Sequence, residues 1–256
     1  MSTIWNADGL VPTRSENIDR YKLNFLKQAV CELRFPTLME LGDSRPPAAM
    51  VAALRKEYPH LELANQVTIG VGASAGTSNA HIFRSSKLNW TVSLNQSSLS
   101  IETTAYPGFP QMRERILRVV DAAAKIIDSD FFTRIGLRYI NVIDVDEDPT
   151  AGWVSPALVQ PILSRQFTGI QEYAGRLQLL ADDGGCLLQH GIRIKQPTRD
   201  GKATPSEYLL DIDSYRNDVG LSDTAVALDA MHSQSFDIFD WSLGEKAKNY
   251  LSKGAS

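Results

Sequence analysis

Hydrophobic periodicity in this chain spells the same succession of elements twice. Residues Gln28 to Phe35 alternate, with Ala29, Cys31, Leu33 and Phe35 on one side and Val30, Glu32 and Arg34 on the other. Alternation of this kind marks a strand with one polar face. A helix is expected next. Asp43 or Ser44 is its cap, Pro46 or Pro47 lies in its first turn, and Met50, Ala53, Leu54 and Tyr58 share a face. Pro59 ends it, because a residue before proline avoids the helical region. Strands follow at about 61–70, 80–85, 88–95 and 97–106, joined by short Gly, Ser and Asn turns. An amphipathic helix then spans about 110–128, with Met112, Ile116, Val119, Val120, Ala123 and Ile127 on one stripe.

The second pass opens with a long strand at about 132–145. Ser155 and Pro156 start a short helix, which Pro161 interrupts or kinks. Strands are expected at about 170–181, 185–195 and 206–214, the first two joined by an Asp182-Asp183-Gly184-Gly185 turn. A final helix runs from Ser222 and Asp223 to about 251, its buried stripe marked by Leu228, Met231, Ile238, Phe239, Leu243, Ala247 and Leu251. The openings of the two passes also agree. Glu32-Leu33-Arg34-Phe35 matches Gly136-Leu137-Arg138-Tyr139, 104 residues later.

The fold class read from this order is α+β. Two similar β-α-β-β-β(-β)-α halves form a curved antiparallel sheet backed by long helices. Residues 1–20, polar and aperiodic, are a loosely held N-terminal arm; 21–130 are the first half and 131–256 the second. The competing reading is a two-domain α+β chain without a dyad. The order resembles the duplicated fold of TATA-box-binding proteins, a likeness of element order that implies nothing about DNA.

The 256 residues carry 26 Lys and Arg against 30 Asp and Glu, a net charge of −4. The imbalance sits in the second half: residues 1–128 have 14 basic and 12 acidic side chains, and residues 129–256 have 12 and 18. Neither half has the positive excess of a phosphate-backbone binder, so nucleic acid is not an expected partner. No apolar run reaches the length of a membrane span. Residues 1–10 lack a basic start and an apolar stretch, so no secretory signal is expected. Two cysteines, Cys31 and Cys186, both in strand-like runs, fit buried free thiols in a reducing cytoplasm.

Tyr21 through Pro36, with Phe25 and Ala29-Val30-Cys31-Glu32-Leu33-Arg34-Phe35-Pro36, resembles the opening of an uncharacterised protein family scattered through bacteria and archaea. Its members are about this length. Arg134-Ile135-Gly136-Leu137-Arg138-Tyr139-Ile140-Asn141 is similar to the family's most recognisable segment. The Tyr58-Pro59 step, Leu99 to Tyr106, and Leu228 to Phe239 with His232 fit the same pattern. The resemblance covers nearly the whole chain and implies single-unit organisation. It brings no activity with it. The family's patchy distribution implies an accessory gene, of the kind found in mobile or defence loci.

The leading candidate site is an arginine pair. Glu32 and Arg34 share one strand face; Arg134 and Arg138 share a face of the counterpart strand. If the halves repeat, Arg34 and Arg138 are symmetry mates near the sheet centre. With Tyr139 and Asn141 close along the strand, their guanidiniums suit a carboxylate or phosphate bound bidentately. The structural alternative pairs Glu32 with an arginine across the join and sends the other arginines to solvent.

Other motifs carry less. Gly72-Ala73-Ser74-Ala75-Gly76 is a literal G-x-S-x-G string, but no helix follows it, as a nucleophile elbow requires. Asp144, Asp146, Glu147 and Asp148 read as a solvated acidic turn rather than a shaped cation loop. His60, His81, His190 and His232 are scattered, with no metal-ligand spacing, and His232 reads as a core or boundary histidine bonded to backbone. Trp90, Trp153 and Trp241 read as core anchors.

The expected function is therefore a non-catalytic cytoplasmic binding or interaction protein, without metal or cofactor. It holds a protein partner or a small anionic ligand, and it leaves room for a homodimer. The alternative is an enzyme acting on a phosphorylated or carboxylated small molecule at the Arg34 and Arg138 region.

Overall fold

The computed structural model describes residues 4–18, 20–68, 76–193 and 206–253. Ser74 of the G-x-S-x-G string and all of residues 196–205, whose Pro, Gly and charged residues predict an exposed loop, lie outside them.

The chain is a mixed α+β protein. Its strands are β1 (Leu26–Arg34), β2 (His60–Thr68), β3 (Gly76–Arg84), β4 (Trp90–Leu94), β5 (Ser98–Thr103), β6 (Phe131–Asp144), β7 (Glu172–Ala181), β8 (Gly184–Arg193) and β9 (Glu207–Gly220). Its helices are α1 (Ala48–Leu54), α2 (Phe109–Ile127), α3 (Pro156–Leu163), α4 (Thr224–Ser242) and α5 (Glu245–Ser252). The nine strands hydrogen-bond in the order β2-β3-β4-β5-β1-β6-β9-β8-β7. The pairs β1–β5, β2–β3, β3–β4, β4–β5 and β7–β8 are antiparallel. From β1 outward the meander reads β5, β4, β3, β2; from β6 outward it reads β9, β8, β7.

By compactness the chain forms two units. One takes Gln28–Leu137 with Tyr215–Asp229; the other takes Ile4–Lys27, Arg138–Ser214 and Ala230–Ser256. In the first unit the buried apolar side chains come from alternate positions of β1 (Ala29, Cys31, Leu33), from β4 and β5 (Val92, Leu94, Leu99, Ile101), and from one stripe of α2. Helix α2 starts at Gly108, whose φ of +106° a side chain would resist. Asp128 ends it in the left-handed conformation. Arg115 lies over the buried Trp90 ring, 4.6 Å from its centroid. Within the same unit the Leu221 N–H donates to the Asp130 carbonyl, 2.9 Å. Arg113 forms a two-pronged pair with Asp229, 2.6 and 2.9 Å.

The second unit has a continuous core. Ile143 of β6, Val154, Leu158 and Val159 around α3, Cys186, Leu188 and Ile192 of β8, Tyr208, Leu210 and Ile212 of β9, and Ile238, Leu243, Ala247 and Leu251 of the last helices pack together. Three sequence expectations change here.

The sequence predicts a loosely held arm over residues 1–20; the described residues between 4 and 23 instead make specific contacts. The Asp183 carboxylate accepts from the Asn6 and Ala7 N–H groups, 2.6 and 3.0 Å, and so caps the short 3-10 helix Asn6–Leu10. Gln234 donates to the Ala7 carbonyl, 2.7 Å. Asp237 takes Arg14 and the Ser15 N–H, and Lys22 and Leu23 donate to the Leu251 carbonyl, 2.9 and 3.1 Å. Trp5 and Ala7 are buried as a result.

The last helix is two helices, α4 and α5, broken at Leu243-Gly244. Leu243 bridges Val154, and the Gly244 N–H donates to the Trp153 carbonyl, 2.9 Å. Alpha carbon approach explains the glycine: a Cβ at Gly244 would stand 2.3 Å from the Gly152 carbonyl oxygen. Helix α4 is also buried on more than one stripe. Among its buried polar residues, Ser235 is bonded to Ser214 at 2.8 Å and the Ser242 hydroxyl donates to the Ile238 carbonyl.

Helix α3 forms with Pro161 inside it and runs to Leu163, and Ser155 stands at its N-cap without a side-chain capping bond. The predicted 182–185 turn is tighter than drawn. Ala181 pairs with Gly184, so Asp182 and Asp183 alone make the turn. No helix among the described residues is long and apolar enough to cross a membrane.

Candidate functional site

The arginines on the open faces of β1 and β6 are already paired. On β1, positions 28, 30, 32 and 34 alternate with buried 29, 31 and 33, which puts Glu32 and Arg34 on one face as the spacing requires. The two form an ion pair with each other, along one strand. Glu32 thus pairs within its own strand, where the structural alternative placed the pair across a join. Arg34 is 53% exposed at the side chain. It lies in the first unit and Arg138 in the second.

Arg138 faces Asp211 of β9. Its Nε donates to Oδ1 at 2.7 Å and its terminal nitrogen to Oδ2 at 2.5 Å, a bidentate pair. Asp211 is 8% exposed and Arg138 45%. The hydrogen bond to Asp211 raises the guanidinium's pKa against the opposing effect of burial. Arg134 makes a different contact, 4.6 Å above the Tyr215 ring.

Tyr139 and Asn141 do not join Arg138. From 135 to 143 the odd positions of β6 are buried, Tyr139 and Asn141 among them, while 138 is exposed. The Tyr139 hydroxyl meets His232 Nδ1 at 2.9 Å, and Asn141 donates to the Leu210 carbonyl at 3.4 Å. Of the six residues, Arg34 and Arg138 are exposed, each in its own unit, and Tyr139 and Asn141 are buried. His232 is buried, and its Nδ1 meets a tyrosine hydroxyl.

Another buried histidine, His190, is not singled out by spacing. His190 Nδ1 lies 2.6 Å from the Tyr208 hydroxyl, and the two rings stack at 15°. The imidazole fits only because position 175 is glycine: a Cβ there would sit 2.2 Å from Nε2. Burial lowers the His190 pKa and raises that of Tyr208, so both are neutral at pH 7. Cys31 and Cys186 are buried free thiols, and burial raises the Cys31 pKa. Among the described residues no group of three or more His, Cys, Asp or Glu is arranged to hold a metal.

The second unit does offer an open concavity. A cleft of about 390 Å³ is lined by Leu10 to Thr13 of the N-terminal segment, by Leu177 and Leu179 of β7, by Cys186 and Leu188 of β8, and by Ile238 and Trp241 of α4. Trp241, expected in the core, is 47% exposed here. The carboxylates on this lining are engaged. Asp237 holds Arg14 and Ser15. Asp240 holds Arg20, Tyr21 and Lys248. Tyr21 titrates high, at about 12, because of burial and its bond to Asp240.

β7, which forms one wall, is the last strand of the sheet. Among the described strands it pairs with β8 alone. Sequence alternation reveals such a strand but not its place at the edge, which depends on pairing order. No protein-family model matches this chain, and no curated protein matches it.

Proposed function

We propose that this chain is a non-catalytic binding protein that takes an extended segment of a protein partner along the outer edge of β7. The observation that carries this reading is the juxtaposition of β7, the outermost of the described strands, with the leucine-lined cleft beside it. An edge strand presents unpaired N–H and C=O groups to an incoming strand, and pockets beside it select alternate side chains. β7 is ten residues long, contains no proline, and carries charge only at Glu172 and Arg176. Leu177 and Leu180 are exposed on it. The partner segment is accordingly apolar at alternate positions.

Three further readings belong with it. The two halves descend from one duplicated unit, supported by the repeated element order and by the matching outward order from β1 and from β6. The chain is a member of the scattered bacterial and archaeal family it resembles and belongs to an accessory locus. It works in the cytoplasm, in keeping with two buried cysteines outside any disulfide. The enzyme alternative has less support, since an anion at Arg138 must displace a bidentate carboxylate and one at Arg34 must displace Glu32.

The test uses a synthetic peptide of β7's length that alternates leucine and threonine, and a copy with proline at alternate threonines. Hydrogen exchange is expected to slow in residues 172–181 on adding the first and not the second. Leu177→Lys is expected to abolish the effect. Absence of protection in β7, or equal protection by the proline peptide, overturns the reading.

A further inference from the structure

The second unit holds another concavity, of a different chemistry. It has a volume of about 600 Å³ and is lined by Phe25, Trp153 and Tyr250, by Asp144, Asp146 and Glu147, and by Lys27. The three rings come from distant parts of the chain. Phe25 is held at the start of β1, where its carbonyl accepts from the Val142 N–H at 2.9 Å. Trp153 precedes α3, and Tyr250 sits on α5. The break at Gly244 is what swings α5 back beside Trp153: the Lys246 N–H donates to the Gly152 carbonyl, 3.0 Å.

The rings form a corner. Phe25 and Tyr250 are parallel, 5.7 Å between centroids at 7°. Trp153 stands across both, at 67° to Phe25 and 61° to Tyr250. Trp153 is locked in place by its indole N–H, which donates to Glu147 at 2.7 Å. Glu147 in turn holds Lys246 at 2.7 Å, and that ammonium keeps the Glu147 pKa low.

Asp144 and Asp146 are exposed, and neither makes an ion pair or side-chain hydrogen bond among the described residues. The corner therefore has aromatic faces with negative quadrupoles and a carboxylate excess over Lys27. A hard metal ion has no use for aromatic walls, and a primary ammonium keeps its water unless it finds acceptors in reach. A quaternary ammonium has no N–H to satisfy and is weakly hydrated. Ring faces suit it, and carboxylates need act only at a distance.

We infer that this concavity binds the quaternary ammonium group of a small organic cation. Trp153 and Tyr250 supply the aromatic surface, and Asp144 and Asp146 the field. The site is separate from the β7 cleft and does not depend on the binding reading above.

The experiment titrates the full chain with choline and with its neutral carbon isostere, following the Trp153 indole N–H signal by NMR. Choline is expected to bind saturably and the isostere at least about tenfold more weakly. Tyr250→Leu, and separately the pair Asp144→Asn with Asp146→Asn, are each expected to weaken choline about tenfold. Added sodium chloride is expected to weaken it further. Lack of a saturable choline shift, equal binding of the isostere, or unchanged affinity in the double asparagine variant overturns the inference. The asparagine pair lies on exposed positions, so the test stands even if Tyr250→Leu fails to fold.

Discussion

Arg34 and Arg138 look equivalent as residues: each follows a leucine on an alternating strand and each points to an open face. Their environments separate them. Arg34 meets a carboxylate two positions away on its own strand, with both partners well exposed. Such pairs lose most of their attraction to water and to side-chain entropy. Arg138 meets a carboxylate 73 residues away that is almost wholly buried, through two hydrogen bonds. Removing Arg138 strands that carboxylate. Double-mutant cycles by urea denaturation are therefore expected to give a coupling of about 1–2 kcal/mol for Arg138 with Asp211, and below about 1 kcal/mol for Arg34 with Glu32. Equal couplings would mean that the buried carboxylate does not depend on its arginine. Here the limit of the sequence is plain. Alternation places Arg138 on an open face, but the identity of the neighbour on β9 depends on strand register. The same alternation, read strictly, already separates Tyr139 and Asn141 from Arg138, since neighbours on a strand face opposite ways.

Elements were legible where one face is apolar and the other polar. β1 and α2 follow their predicted stripes nearly to the residue, because burial on one side is what the pattern records. The alternation predicts β9 too short, because Ser214 and Arg216, buried and polar, break the pattern that the strand continues through to Gly220. The final helix was read too long for the opposite reason. Apolar residues run on at helical spacing through Leu243 to Leu251, while a tertiary contact interrupts the backbone at Gly244. That glycine has an ordinary φ of −84°, so its role is not conformational freedom but room. A Cβ would press on Gly152 and Val154 backbone atoms at 2.3 to 2.9 Å, and backbone yields less than a side-chain tip. Gly244→Ala is expected to destabilise by about 1–3 kcal/mol, toward the upper end, in urea denaturation. The Trp153 indole signal is expected to move with it, since Trp153 accepts from the Gly244 N–H. A change below about 0.5 kcal/mol would place the alanine within ordinary surface tolerance and remove the steric account.

At the scale of the whole molecule, the repeated order of elements is a property of local periodicity, and local periodicity is visible in one dimension. Compactness is not. The first unit draws in Tyr215–Asp229 and the second draws in Ile4–Lys27, each from the far side of the 130/131 position that element order marks. Neither segment advertises its destination. The described residues between 4 and 23 hold little regular structure beyond one 3-10 helix, and they are fixed by polar contacts to Asp183, Gln234, Asp237 and the Leu251 carbonyl, all more than 150 positions away. Likewise Tyr215, Leu221 and Asp229 make their contacts with Arg134, Asp130 and Arg113. A chain cut after residue 130 therefore deprives each piece of a segment that its own unit uses. Residues 1–130 lose the strand end and helix start that meet Arg113 and Asp130. Residues 131–256 keep Asp183 and Asp237 but lose the N-terminal segment that these carboxylates hold. The expected outcome is that neither fragment alone gives a dispersed amide NMR spectrum or a cooperative thermal transition, and that mixing the two restores both. Two fragments that each melt cooperatively by themselves would show that the exchanged segments contribute little, and that the order of elements along the chain is also the order in which it is partitioned.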